Sequence, residues 1–115
     1  MRADLLAWQW SDYSAKHRNR ANLLIHIAAV PLFQLGSLLV VWGIFAYTLS
    51  VAIGGVVLAL VSVALEGRGH RLEAEAPVPF DGVADFLSRF VAEQWITFPR
   101  FVLSGGWYRN LTRAD

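Results

Sequence analysis

The chain contains no cysteine, which removes disulfides, thiolate zinc sites, iron–sulfur clusters and thiol nucleophiles together. Any bound metal must therefore rest on histidine, aspartate or glutamate. Histidine is itself scarce, with His17, His26 and His70 the only three. A field of one charge sign is also lacking. Ten basic and nine acidic residues leave a formal net charge of +1, too little to hold nucleic acid by counterion release, so no DNA or RNA partner is expected. Charged residues are only 17% of the chain against 56% hydrophobic, and the mean hydropathy of +0.43 excludes a disordered tail or solvated scaffold. There are no internal repeats, low-complexity tracts, glycine-rich phosphate loops or lipidation motifs. At 115 residues there is room for one domain.

What is present is apolar length. From Asn22 to Leu49 no residue is charged, a run longer than the ~20 residues needed to cross the hydrocarbon core. A second apolar run covers Val51 to Leu65, where Gly54 and Gly55 with Ala52, Ala59 and Ala64 offer a surface for close helix packing. The expected fold class is all-α, a small helical integral membrane protein built on a transmembrane hairpin. The single domain divides into an interfacial helix over 3–18, a first membrane helix over 20–48, a second over 51–66, a loop over 67–80, and an interfacial or re-entrant helix over 82–103. The hairpin turns near Thr48–Ser50.

Arg2, Lys16, Arg18 and Arg20 precede the hairpin, Arg68 and Arg71 follow it, and the turn carries no charge. The positive-inside rule then sets both termini on the cytoplasmic side of a bacterial inner membrane or an endoplasmic-reticulum-type membrane. The apolar run begins some twenty residues in and is too long for the core of a signal peptide, so it is expected to remain in the mature protein.

Leu6, Trp10, Tyr13 and His17 recur at helical spacing ahead of the hairpin, and Trp8, Trp10 and Tyr13 suit headgroup level. Asn19 is the expected N-cap of the first membrane helix, Asp81 that of the last helix. That last helix is expected to kink at Pro99 and stop at Ser104-Gly105-Gly106, with Glu93, Pro99 and Arg100 opposing a full crossing.

Singly, each histidine has an ordinary reading: His17 and His70 as surface residues, His26 as a core histidine bonded to a carbonyl or to Asn22. A hairpin, however, returns His70 to the membrane face from which His17 and His26 depart. Three neutral imidazoles at one level suit Fe(II), Zn(II) or Cu(II) and leave positions open for substrate. Glu66, Glu73 or water would complete such a site. The paired Glu-x-x-His signature of two-metal helical bundles is missing. Two other readings stay open: a haem or electron-transfer protein with His26 and His70 as axial ligands, and a non-catalytic structural subunit.

One composite pattern is more specific. Tyr13-x3-His17-x4-Asn22-x3-His26, then Pro31, then Gly69-His70 and the loop Pro77-Val78-Pro79-Phe80, resembles small fungal and bacterial membrane proteins that are Fe(II)-dependent dioxygenases of 2-hydroxy fatty acids. In fungi that family performs the α-oxidation step between phytosphingosine and odd-numbered fatty acids. The resemblance runs from Tyr13 to Phe80. It implies His17, His26 and His70 as iron ligands, with Tyr13 and Asn22 as companions in the motif; Glu73 is a further catalytic candidate beside them, and Arg68 or Arg71 is the expected contact for the substrate carboxylate. The fungal pattern has an acidic residue four positions after the last histidine, where this chain has Ala74 between Glu73 and Glu75. The partners implied are a 2-hydroxy long-chain fatty acid, O2 and the lipid bilayer, and a homo-oligomer stays open. The implied reaction balances without a reductant: a 2-hydroxy acid and O2 give an acid one carbon shorter, CO2 and water.

Overall fold

The computed structural model describes residues 2–113, which form an all-α molecule with no strand among them. Its extents are 46 × 30 × 24 Å. The long axis belongs to an antiparallel hairpin of α2 (Arg20–Phe45) and α3 (Leu49–Arg71). Shorter elements surround one end of it: α1 (Leu5–Ser11) and a 3₁₀ turn (Ser14–Lys16) before the hairpin, and α4 (Val83–Ala92), a π-helical turn (Glu93–Thr97), α5 (Phe98–Leu103) and α6 (Gly106–Arg113) after it.

Asn19 caps α2 as expected, its side-chain oxygen accepting from the Asn22 N–H at 3.0 Å. The hairpin seam is made by missing side chains. A Cβ on Gly36 would lie 2.7 Å from the Gly55 carbonyl, a Cβ on Gly55 would lie 2.5 Å from the Gly36 carbonyl, and one on Gly43 would collide with the Ala52 backbone. The two backbones thus touch, as small residues permit. Gly54 and Ala64 do not join this seam: Gly54 faces open space and Ala64 is exposed. The seam residues recur on one helical face, and these two fall off it.

The chain reverses at Ala46–Thr48, earlier than the Thr48–Ser50 expectation, because Thr48 adopts an extended conformation (φ −113°, ψ 91°) that starts α3. The expected loop over 67–80 is also corrected. Helix α3 continues five residues past 66 to Arg71, so His70 is helical. Gly69 costs about 1 kcal/mol of helix propensity. It is retained because only a residue without a side chain fits against the Asn22 amide.

The expected 3–18 helix breaks at Asp12. Tyr13 leaves the interface altogether: it is 3% exposed and packs edge-on to Phe101 at 5.2 Å, in a core with Leu23, Val30 and Phe98. At α4 the capping is reversed. Gly82 is the N-cap, and the Asp81 N–H donates to the Asp85 carboxylate at 2.9 Å, an acid in the first turn reaching back. The last helix does stop at Ser104-Gly105-Gly106 as expected, but the chain goes on beyond it. Gly105, in the left-handed region (φ 85°), turns it into α6, whose Trp107 indole donates to the Leu23 carbonyl at 2.9 Å.

The π-helical turn has a local cause. With i→i+5 bonding the Gln94 carbonyl would need the N–H of residue 99, which is proline. The Gln34 amide of α2 supplies the missing donor at 2.8 Å, joining the turn to the hairpin. The distortion expected at Pro99 is therefore taken up one turn earlier, where Glu93 and Gln94 both point inward.

Candidate metal centre

His17 lies just past the 3₁₀ turn, His26 on the second turn of α2, His70 on the last turn of α3. Their rings come together edge to face, with centroids 5.0 Å apart for His17–His26, 5.0 Å for His17–His70 and 4.9 Å for His26–His70. Each pair is nearly perpendicular, so the rings point at a common space rather than stacking. The fourth member is Glu93. One ligand atom from each of His17, His26, His70 and Glu93 lies within 4.8 Å of every other.

The hydrogen bonds decide which atoms are free. His17 Nδ1 is 2.8 Å from the Tyr13 carbonyl and His26 Nδ1 is 3.1 Å from the Asn22 carbonyl. A carbonyl only accepts, so both Nδ1 atoms carry protons, and in the neutral rings each Nε2 keeps a lone pair. These Nε2 atoms, with His70 Nδ1, are buried without a partner. Glu93 Oε2 sits 3.4 Å from His17 Nε2 and 3.5 Å from His26 Nε2. Lone pairs facing a carboxylate call for a proton or a metal cation between them.

Glu93 is anionic: burial opposes its charge, but the imidazoles of His17 and His26 outweigh that and hold the carboxyl well below its usual range. Tyr13 stays protonated, pushed well up by burial and then by the Glu93 charge, so its hydroxyl donates to Glu93 Oε2 at 2.7 Å. The Tyr13 ring also stacks on His17 at 3.8 Å. Two imidazolium ions beside one carboxylate would repel in this dry space, whereas one divalent cation satisfies all three nitrogens and the oxygen together. The donor set therefore fits a metal. Three nitrogens and one oxygen suit Fe(II) or Zn(II), and the carbonyl-held Nδ1 atoms are the usual orienting partners of ligating histidines.

The expected companions separate into different roles. Asn22, fully buried, donates to Glu73 Oε2 at 2.6 Å. Glu73 also accepts from the backbone N–H groups of Arg18 and Asn19, each at 3.0 Å. It is thus a clasp between the end of α3 and the start of α2; it also lines the cavity but is not one of the four converging ligand residues. Anionic oxygens suit that place, where helical N–H groups are unpaired. Glu66 is 1% exposed with Oε1 3.4 Å from His26 Nε2, accepts from Gln94 Nε2 at 2.8 Å, and keeps Oε2 unpartnered. It stands beside the converging group rather than in it.

A cavity of about 430 Å³ opens beside the cluster, lined by Tyr13, His17, Glu66, His70 and Glu93 on one side and elsewhere by apolar side chains interrupted by Gln9, Asp12, Glu73 and a few cations. Arg71 lies on its wall. Arg68 does not, being exposed elsewhere on α3, so its substrate-binding assignment is not supported. Lys16 and Arg89 also line the cavity. Arg89 is committed to Asp85 at 3.2 Å and to the carbonyls of Val78 at 2.7 Å and Pro79 at 3.2 Å.

Glu93, Asp12, Lys16, Arg89 and Gln9 are polar cavity residues that the sequence did not assign to the site. Asp85, Arg89, Glu93 and Thr97 recur every fourth residue and are all buried, a polar stripe on one helical face that pointed to an inward-facing site. No known protein family, no curated protein and no solved structure matches this chain.

Proposed function

We propose that this protein is an integral membrane, Fe(II)-dependent dioxygenase that shortens 2-hydroxy fatty acids by one carbon. The observation that carries the reading is the group of three unpartnered imidazole nitrogens and one carboxylate oxygen within 4.8 Å of one another, beside a largely apolar cavity. The spacing of Tyr13, His17, Asn22, His26 and Gly69-His70 supplies the resemblance to dioxygenases of that substrate class.

A membrane setting is supported by the hairpin's outer surface. Both long helices are apolar enough to cross a bilayer, yet only 22% and 17% of their most apolar windows are buried. A soluble core helix would be mostly covered. Leu38, Trp42, Phe45, Leu49 and Leu60 are each more than half exposed, an apolar area that water tolerates poorly and lipid solvates. The charge pattern supports termini and metal site on the cytoplasmic side.

Fe(II) held by this set would supply O2 activation and a point of chelation for the substrate's hydroxyl and carboxylate. The protein's own groups do the rest. Glu93 would bring the donor set to four, and the coordination positions left open would go to substrate and O2. Tyr13 holds the Glu93 carboxylate in place. Arg71 offers the cation for the substrate carboxylate, Lys16 being paired with Asp12 at 3.0 Å, and Glu66 Oε2 is an unpartnered oxygen in the cavity lining. The apolar wall excludes water.

The haem alternative is disfavoured by crowding: His26 and His70 are 4.9 Å apart with His17 and Glu93 among them, which leaves no planar gap for a macrocycle. The structural-subunit alternative is disfavoured because histidines serving packing would have their nitrogens bonded.

The test is elemental analysis of detergent-purified protein after anaerobic Fe(II) loading and desalting, followed by product analysis with 2-hydroxy fatty acids under O2. About one iron per chain and an acid one carbon shorter are expected. Protein that retains no metal, or iron-loaded protein that consumes no 2-hydroxy acid, would refute the reading.

A further inference from the structure

An open apolar groove of about 480 Å³ runs along the hairpin under α4, next to the metal cavity. Val63, Phe86 and Phe90 line both spaces, so the two share a wall. That wall is a file of aromatic rings. Phe80, on the cavity loop, meets Phe86 edge-on at 4.9 Å, Phe86 stacks on Phe90 at 5.6 Å, and Phe90 meets Phe33 edge-on at 5.0 Å inside the groove. The one polar side chain in the groove, Ser37, donates to the Gln34 carbonyl at 2.9 Å and so offers no donor to a ligand.

The far end is formed by Val41 of α2 and Val56 of α3. From His26 to Val41 is fifteen residues, or ~22 Å of helix at 1.5 Å per residue. The cavity and the groove, joined along this wall, set metal-binding groups and the cations Lys16, Arg71 and Arg89 at one end and hydrocarbon at the other. Its polarity and length match a long-chain acid lying head-first in the cavity.

We infer that the groove seats the acyl chain of the substrate, with the Phe80–Phe86–Phe90–Phe33 wall as its guide and the Val41/Val56 end as the limit on chain length. The inference rests on the metal-site reading for the head of the ligand and goes beyond it in assigning a seat to the tail. Burial against aromatic and branched side chains gives each methylene a share of the binding energy, so affinity rises with length until the groove is full. Longer chains gain nothing further from it.

Val56→Trp and Val41→Trp fill the far end from α3 and from α2, and the pair guards against one variant misfolding. The measurement is equilibrium binding of radiolabelled 2-hydroxydecanoate and 2-hydroxyoctadecanoate to Fe(II)-loaded, full-length protein in detergent without O2, with iron content recorded for each variant. Both variants are expected to bind the eighteen-carbon acid about tenfold more weakly than the parent, the loss of two or more buried methylenes, and to keep iron and the ten-carbon acid. Equal weakening of both acids in iron-containing variants would overturn the assignment. So would unhindered binding of the long acid, which would mark the groove as a seat for bilayer lipid. If the parent shows this length dependence but yields no shortened product when O2 is admitted, the groove assignment stands and the dioxygenase reading falls.

Discussion

The two ends of the hairpin obey opposite rules. At the end carrying the histidines, polar residues are inside: Asn22, His26, Ser62 and Glu66 are at most 1% exposed. At the turn, apolar residues are outside, with Trp42 at 64%, Phe45 at 78% and Leu49 at 73%. The same pair of helices thus passes from a polar interior to an apolar exterior within its own length. The physical difference lies in what surrounds each end. Around the histidines, α1 and the helices after the hairpin shield the interior from solvent, and buried polar groups face one another. Around the turn none of the described residues outside the hairpin covers it, and backbone contact at Gly36, Gly43 and Gly55 holds the helices together instead.

Substitutions at the two ends should therefore differ in kind. The largest effect is expected from His26→Ala, which removes one of the three nitrogens: retained iron should fall from about one per chain to near zero, with activity lost in parallel. Full iron retention would show that the cluster is not the metal site. Next come the two carboxylates the structure separates. Glu93→Gln should lose metal. Glu73→Gln should keep metal and lose about 1.5–3 kcal/mol of stability, through weakened charge-assisted bonds to Arg18, Asn19 and Asn22. Denaturation and iron analysis on both variants read this, and the reverse result would restore Glu73 to the centre.

Two glycines on one helix give a sharper contrast. Gly69→Ala collides with the Asn22 amide and should cost about 1–3 kcal/mol, whereas Gly67→Ala faces open space and should be neutral or stabilising by about 0.5–1 kcal/mol. Equal melting temperatures would undo the account of α3. Tyr13→Phe removes the bond to Glu93 while keeping the ring on His17, and metal titration should show affinity reduced by about 10–100-fold. The smallest effect belongs to the turn end. Phe45→Ala in detergent should change stability by no more than about 0.5 kcal/mol, and a loss above 2 kcal/mol would mean that this end is packed against another surface.

Much of the fold was legible because it follows from local chemistry. Uncharged length gives two long helices, Asn19 gives a cap, and the three histidines at one end of a hairpin follow from its geometry. The site was legible for His17, His26 and His70 and illegible for Glu93. Nothing local places Glu93 beside Tyr13, eighty residues away. Asn22 and Glu73 were legible as residues of the site and illegible as a clasp, because a hydrogen bond across fifty-one residues is set by how two helices meet. The loop expected over 67–80 began too early because glycine weakens a helix only when no packing repays it, and Gly69 is repaid by Asn22.

The sequence by itself therefore determined an all-α chain with two long apolar helices, no thiol chemistry, and few side chains able to hold a metal. Those properties depend on composition and on neighbours along the chain. The tertiary structure alone decided which carboxylate faces the histidines, which cations reach the cavity, and where the apolar groove joins it. These depend on contacts between residues far apart in sequence, fixed here by a proline that opens a π-helical turn at Glu93 and by glycines that let two backbones touch.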